Sequence, residues 1–348
     1  MRKLIFTAAH GGFSGLGVPL GGGATISDWL VDEWRRTCGV EIDLITPSIL
    51  GASAPSGNDI AAFNERQYAR FCIEFSRAAT ERILSEDPLQ CTVLVNDISE
   101  APDFARIAGA GFRIVTIYHV DVVDYIAAIY CHGLVPAAAL ARGWEFIRPV
   151  AAAMAPSILR LIFERQRDSL RFSSRVVVPS TRMREILLRA YPGTPQDRIE
   201  VVAWGVRKAE APEEDVKQEL EFVRRESGLD PGRATVLCLS RISPEKGQDL
   251  FLKGLIELER HGAFRESAPD LLICGSPAFM RGQTHMDLLR RLSSSLSRVR
   301  VHFPGHVTGA RKRAMFRAAT VYAFPSRHES YGLTLAEALA EGPPAVAF

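Results

Sequence analysis

Short apolar runs, each about one strand long, alternate with longer amphipathic helical patterns along most of this chain, and that alternation restricts its fold more than any other feature. The first half carries "KLIFTAA", a helical pattern from Ala24 to Thr37, then "VEIDLIT", "CTVLVND" and "RIVTIYH". Strands separated by helices need crossover connections, which set neighbouring strands parallel. After "FSSRVVVPS" and the turn "YPGTPQDR" a second series begins: "IEVVAWG", "ATVLCLSR", "DLLICGS", "VRVHFPG", "TVYAFPS" and "PPAVAF". The architecture occurs twice. The expected fold class is therefore α/β, with two Rossmann-like parallel-sheet domains at residues 1–205 and 206–348 and a hinge near Gly205. A chain of 348 residues suits two domains of ordinary size. The polar, acidic stretch 208–233 is poor in core residues and marks the boundary region. Ligands in such sheets bind beyond the carboxyl ends of the strands, so a cleft between the domains is the expected site.

Bulk properties remove several function classes. Lys and Arg number 42 against 40 Asp and Glu, a formal charge of +2, and no polybasic stripe tracks nucleic-acid phosphates. Nucleic acid is not an expected partner. Cysteines 38, 72, 91, 131, 238 and 274 form no Cys-x-x-Cys pair and have no nearby His at zinc-ligand spacing. Cys238 and Cys274 sit in apolar strand-like runs, where a reduced thiol packs as a small hydrophobe, so a cytoplasmic setting fits. "MRKLIFTAAHGG" is too short an apolar stretch for a secretory signal and reads as a first strand. "PVAAAMAPSILRLIF", 149–163, falls short of the roughly 20 residues a spanning helix needs and contains Pro156 and Arg160. The surrounding segment 140–171, with Trp144, Phe146 and several arginines, admits two readings: a helix lying on the inner face of a membrane, or a half-buried helical insert.

Candidate chemistry concentrates near the end of the chain, in "HESYGLTLAEAL", residues 328–339. The strand "TVYAFPS" precedes it and the helical pattern "LTLAEALA" follows, making "RHESYG" a strand-to-helix turn. Backbone N–H groups without intrahelical partners and the positive end of the helix dipole gather at Ser330, Tyr331, Gly332 and Leu333. Gly332 lets an anion approach the backbone. Glu329 and Glu337 flank this helix start, about 12 Å apart if the whole interval were helical and closer if Glu329 stays in the turn. Carboxylates accept from paired sugar or ribose hydroxyls and repel phosphate. Acid, helix start and acid thus suit a ligand with hydroxyls at both ends and negative charge in the middle, as in a nucleotide sugar; the plainer reading makes Glu329 a cap and Glu337 a solvated residue.

A second element, "LCLSRISPEKGQDLFLKGL", residues 237–255, places Arg241 at a strand end and Lys246 at the next helix start. Arg binds phosphate through two parallel N–H groups and Lys adds a point charge, so the two with the helix start form a diphosphate clamp; alone they read as solvated surface. In the first half, "HGGFSGLGVPLGGGATISDW" joins the first strand to the first helix, and Gly22 and Gly23 are candidates for backbone contact with phosphate or acceptor, against the reading of a surface loop. His119 ends "RIVTIYH" at the carboxyl edge of its strand, where a packed or solvated role is the alternative. Asp97 and Asp121 share that rim as acceptor-facing candidates.

"SRISPEKGQDLFLKGL" followed by "FPSRHESYGLTLAEALAEGPPAVAF" resembles the nucleotide-binding half of the retaining glycosyltransferases of family four, which have the GT-B fold. "VVVPSTRMREILLRAY", "FPGHV" and "FRAATVYAFPS" extend the resemblance, which is strong over 172–348 and lies mostly in strand order before that. It implies that Arg241 and Lys246 neutralise the donor diphosphate, that Glu329 contacts the transferred sugar and Glu337 the ribose, and that a glycine pair and His119 line the cleft. It also implies sugar transfer from a nucleoside diphosphate sugar to an acceptor hydroxyl with retention, without a metal or other cofactor, the leaving phosphate taking the acceptor's proton. The acceptor is a glycan, a lipid-linked sugar or a small molecule, chosen by the first domain and its 124–171 insert. Trp204 stands where the family usually has Asn, and the chain ends at Phe348 where the family continues through another strand and helices, so the second domain is expected to be incomplete. Two rivals remain: an epimerase acting on the same donors, and a noncatalytic nucleotide-sugar binding subunit.

Overall fold

A computed structural model describes residues 3–12, 21–131, 134–151, 154–206, 211–278 and 282–347. The chain divides into two compact units, Met1–Trp204 and Gly205–Phe348. The first is built on β1 (Lys3–Thr7), β2 (Glu41–Ile45), β3 (Cys91–Val95), β4 (Arg113–Ile117), β5 (Arg175–Val178) and β6 (Ile199–Val201), in the order β2-β1-β3-β4-β5-β6. Every pair in it is parallel. The second is built on β7 (Thr235–Leu239), β8 (Asp270–Cys274), β9 (Arg300–Gly305), β10 (Val321–Phe324) and β11 (Ala345–Ala347), in the order β11-β10-β7-β8-β9, again parallel throughout.

The apolar strand runs follow from burial on both faces. Along β8, Leu272 and Cys274 face one cluster with Leu237, Phe316, Tyr322 and Phe324, while Leu271 and Ile273 face another with Ile242, Leu252 and Leu289. In the first unit Ile5, Val93, Val95 and Ile114 pack against Phe71 and Phe75 of the helix Glu65–Leu84 and against Phe104. Cys238 and Cys274 are buried thiols in neighbouring strands.

Two expectations need correction. The run around Ile199 does not open the second series: Ile199, Glu200 and Val201 pair with Val176, Val177 and Val178 and close the first sheet. Its hydrogen-bond partner, which the linear pattern does not reveal, decides its sheet. The first helix runs Gly22–Thr37, two residues earlier than the apolar pattern from Ala24, because Gly21 at φ 94° supplies the turn into it. Most of the glycine-rich loop, residues 13–20, lies outside the described residues, as do 208–210 of the boundary stretch and Phe348.

Strand order fixes where a ligand can sit. In each sheet the connections from one strand leave in opposite directions, between β1 and β3 in the first and between β7 and β10 in the second. A crevice opens at the carboxyl ends of such a pair, and ligands of open α/β sheets bind there.

Candidate active site

In the second unit, the loop after β7 and the loop after β10 meet at the switch point. After Leu239 the chain runs through Arg241 into a 3-10 turn, Pro244–Lys246, then Gly247 and the helix Gln248–Arg260. Gly247 has φ 66°, and a Cβ there would lie 1.9 Å from the carbonyl oxygen of Pro325, so the two loops touch backbone to backbone. Only glycine permits both the conformation and the approach. The contact is stapled: the Arg327 N–H donates to the Glu245 carbonyl at 2.7 Å, and the Arg327 guanidinium donates to Asp249 at 2.8 and 2.9 Å and to the Pro244 carbonyl at 2.5 Å. A forked guanidinium on a carboxylate fixes direction as well as distance.

This staple brings together two of the residues expected from sequence. Lys246 Nζ donates to Glu329 Oε1 at 2.6 Å. Arg241 Nη2 lies 3.5 Å from Glu245 Oε1, which also accepts from the Ser243 hydroxyl at 2.6 Å. Burial would raise the Glu245 carboxyl, but Arg241, the Ser243 hydroxyl and Lys246 outweigh it and hold the group below the ordinary carboxylate range. Glu245 is therefore an ionised, buried anchor for Arg241. Sequence reading missed it, although it lies within the quoted "SPEKG".

The helix Leu333–Glu341 starts from Gly332 at φ 84° with no side-chain cap and no acidic residue in its first turn. Within that turn the Leu335 N–H bonds the Gly332 carbonyl at 3.0 Å, and the N–H groups of Leu333 and Thr334 open the helix beside Lys246 and Glu329, an arrangement that suits an anion. Ser330 and Tyr331 form the turn, half-buried, and Leu333 is the first helical residue. Glu329 lies in the loop, so the helical part of the Glu329 to Glu337 interval begins only at Leu333. Glu337 pairs with Lys312 of the helix Gly309–Ala318 at 2.6 Å. A lysine 25 positions earlier in an ordinary basic helix, "ARKRAMF", gives no sequence sign of this partnership.

A different set of groups gathers at the first unit's switch point. His10, after β1, has Nδ1 at 3.2 Å from Asp97 Oδ1 and Nε2 at 3.6 Å from Glu100 Oε1. Tyr68 donates its hydroxyl to the same Glu100 oxygen. Burial, reinforced by Asp97, raises the Glu100 carboxyl despite His10. Burial also works to raise Asp97, but His10, His119 and the Asn96 side chain outweigh it and hold that carboxyl low. His119 Nε2 donates to Asn96 Oδ1 at 2.8 Å, and Asn96 Nδ2 donates to the Ser27 hydroxyl at 2.6 Å. Desolvation pushes the imidazole down to about 4, so the ring is neutral at pH 7. Its face lies 5.4 Å from the Trp204 ring, centroid to centroid.

Gly22 and Gly23 begin the first helix, and a Cβ on Gly23 would come 3.1 Å from the His119 side chain. Gly23 thus gives His119 room to pack. Asp121 is occupied differently: buried, it caps the helix Val122–Tyr130 by accepting from Val123 and Asp124 at 3.1 and 3.0 Å, and it accepts from Gln166 at 2.8 Å. Of the two rim acids, Asp97 keeps company with histidines and Asp121 is built into the fold. His10, Asn96 and Glu100 went unnoticed in the sequence, yet each closely follows a strand end, the criterion that found His119.

Known proteins resemble this chain in sequence over residues 220–348 and in fold throughout. Residues 220–348 match the model of the family described as glycosyl transferases group 1. D-inositol 3-phosphate glycosyltransferase of Rhodococcus jostii (strain RHA1) is 34% identical over 176 residues, 50% of this chain and 37% of that protein. The matched stretch spans 37% to 42% of the length of this and two further curated relatives. Among solved structures, sucrose-phosphate synthase from Thermosynechococcus elongatus superposes with a TM-score of 0.63 at 18% identity, covering 100% of this chain and 81% of that one. The Anabaena HepE protein, crystallised in complex with UDP and glucose, gives 0.57 at 16% identity, covering 100% and 80%. The chain therefore has the α/β fold of the GT-B glycosyltransferases, with two Rossmann-like parallel-sheet units, and its residues 220–348 match the glycosyl transferases group 1 family.

Proposed function

We propose that the protein is a retaining glycosyltransferase that moves a sugar from a nucleoside diphosphate sugar to an acceptor hydroxyl. The observation that carries this reading is the 2.6 Å contact of Lys246 with Glu329, placed beside an uncapped helix start at the β7–β10 switch point. One carboxylate, one ammonium from the facing loop and the amide N–H groups that open a helix match one sugar hydroxyl set and one diphosphate. HepE, of the same fold, was crystallised with UDP and glucose, which supports a donor of that kind.

In this reading the bond from the anomeric carbon to the diphosphate oxygen breaks, building oxocarbenium-like charge on the sugar and negative charge on the leaving group. Arg241, Lys246 and the amides at Leu333 meet that negative charge as it grows, which is selective stabilisation of the transition state. Neutralisation of the diphosphate falls to these groups rather than to a metal ion. Glu329 accepts from hydroxyls of the transferred sugar, and Glu337, oriented by Lys312, accepts from the ribose. The acceptor oxygen bonds the anomeric carbon on the face the diphosphate leaves, and its proton passes to the departing phosphate. The first unit takes the acceptor: neutral His119 and the His10–Asp97 pair offer hydroxyl-recognising groups.

Labelled UDP and GDP sugars, incubated with the protein and hydroxyl acceptors, test the reading through nucleoside diphosphate release and the anomeric configuration of the product. Acceptor-dependent release with retention is expected. Isomerised donor, or donor binding with neither product, overturns it in favour of an epimerase or a binding subunit. Screening nucleotide sugars for thermal stabilisation first identifies which donor to use.

A further inference from the structure

The most exposed large hydrophobic side chains among the described residues are Phe146 and Met154 at 87%, Leu89 at 86%, Leu134 at 84% and Val150 at 83%. All but Leu89 fall within residues 134–154. This is the insert between β4 and β5, formed by the helix Ala137–Ala151 and the helix Ser157–Phe172. The first of these helices has two apolar faces. Ala137, Ala141 and Trp144 point inward, Trp144 stacking on Phe163 at 5.1 Å, and anchor the insert to the unit. Phe146 and Val150, one turn apart, occupy the outward side with Pro149 and Arg142.

A helix apolar on both faces is ordinarily covered on both. Single exposed hydrophobes need no explanation, but Phe146, Ile147 and Val150 are exposed together within about one turn of one helix, and grouped apolar side chains of this kind mark an interaction surface. The charges around it indicate the partner. Between Leu134 and Phe163 the ionisable side chains are Arg142, Arg148, Arg160 and Glu145. The charge of the lone acid, Glu145, is offset by Arg148 and Arg167 at 3.9 and 3.6 Å. Arg142, exposed, lies one turn before Phe146. No described helix is long and apolar enough to cross a membrane.

We propose that this face docks on the surface of an anionic lipid bilayer, with Phe146, Val150 and Met154 entering the headgroup boundary and the arginines pairing with lipid phosphates. Apolar burial combined with basic flanks is the recognised physics of a helix lying in the interface. The docking is independent of the donor chemistry, because every residue it uses belongs to the first unit.

Sedimentation of the purified chain with vesicles of mixed phosphatidylglycerol and phosphatidylcholine, against phosphatidylcholine alone, tests it. Binding to the anionic vesicles is expected, weakening with salt and falling roughly tenfold in the Phe146→Ser/Val150→Ser variant. Circular dichroism confirms folding of this variant, whose replaced side chains are exposed. Arg142→Glu, which leaves the apolar stripe whole, is expected to lose the preference for anionic over neutral vesicles. Three results each overturn the proposal: no sedimentation of the wild type with anionic vesicles, unchanged binding of the double variant, or a concentration-dependent dimer that the double variant abolishes, which would make a second copy the occupant.

Discussion

The two sheets of this molecule present chemically opposite switch points. Beyond β7 and β10 lie Arg241, Lys246 and an uncapped helix start, with Glu329 against the lysine. Beyond β1, β3 and β4 lie two histidines, Asp97 and Glu100, and the leading charge effects on those carboxyls come from the histidines and from Asp97 on Glu100. One end is made to hold negative charge and the other to trade hydrogen bonds with neutral groups. The same strand arrangement thus carries opposite side-chain chemistry at its two switch points, and the proposed function assigns the leaving group to the one beyond β7 and β10 and the acceptor to the other. The largest test of the contrast is Lys246→Ala. If the lysine acts on developing charge, turnover should drop about 10²- to 10³-fold, or about 3 to 4 kcal/mol, with a much smaller loss of donor affinity. Steady-state kinetics beside calorimetric donor binding checks this, and equal losses would reduce Lys246 to a ground-state ligand.

Geometry is the next thing to break. Gly247→Ala puts a methyl group where the Pro325 carbonyl oxygen now sits, at a positive φ that disfavours any side chain. We expect about 2 to 3 kcal/mol of lost stability in the second unit, read as a lower urea midpoint, with donor binding lost alongside it. Strong donor binding in a folded variant would show that the two loops need not touch for the clamp to form.

Asp121→Ala draws the boundary inside the first unit. Because Asp121 caps a helix and holds Gln166, the variant should lose about 1 to 2 kcal/mol of stability while the turnover of the folded fraction stays within about twofold. Asp97→Asn, at the other rim acid, should instead change acceptor KM with little effect on stability. Interchanged outcomes would reverse the roles assigned to the two acids.

What the sequence made legible follows from where each signal is stored. Arg241, Lys246 and Glu329 could be read because each lies just beyond an apolar run, close to a glycine that marks a tight approach, all local information. The pairing of Glu337 with Lys312, and the grouping of His10 with Asp97 and Glu100, depend on which strands and helices become neighbours, and periodicity does not encode that. The same blindness assigned the run at Ile199 to the wrong series, since its apolar pattern is equally compatible with either sheet. The insert was legible as helical, lying on a membrane or half-buried, but which side of its first helix faces inward required Trp144 to be seen stacking on Phe163.

The smallest expected effect concerns how the first switch point keeps His119 neutral. An unfolded histidine titrates near 6.5 and the folded one near 4, so between those values the unfolded chain binds more protons and acid favours it. The contribution from the neutral ring is whole above pH 6.5 and is lost as the pH falls through about 4. His119→Gln keeps a donor for Asn96 and removes the titration, so its stability should decline less steeply than the wild type's across that window. After allowance for solvent screening the difference is on the order of 1 kcal/mol. Subtracting the two urea-denaturation profiles removes the contribution of Glu100, common to both proteins, and leaves that of His119 together with its effect on Asp97. Parallel profiles would mean that the imidazole is protonated in the native state at mildly acid pH, and the neutral-partner half of the contrast would fail there first.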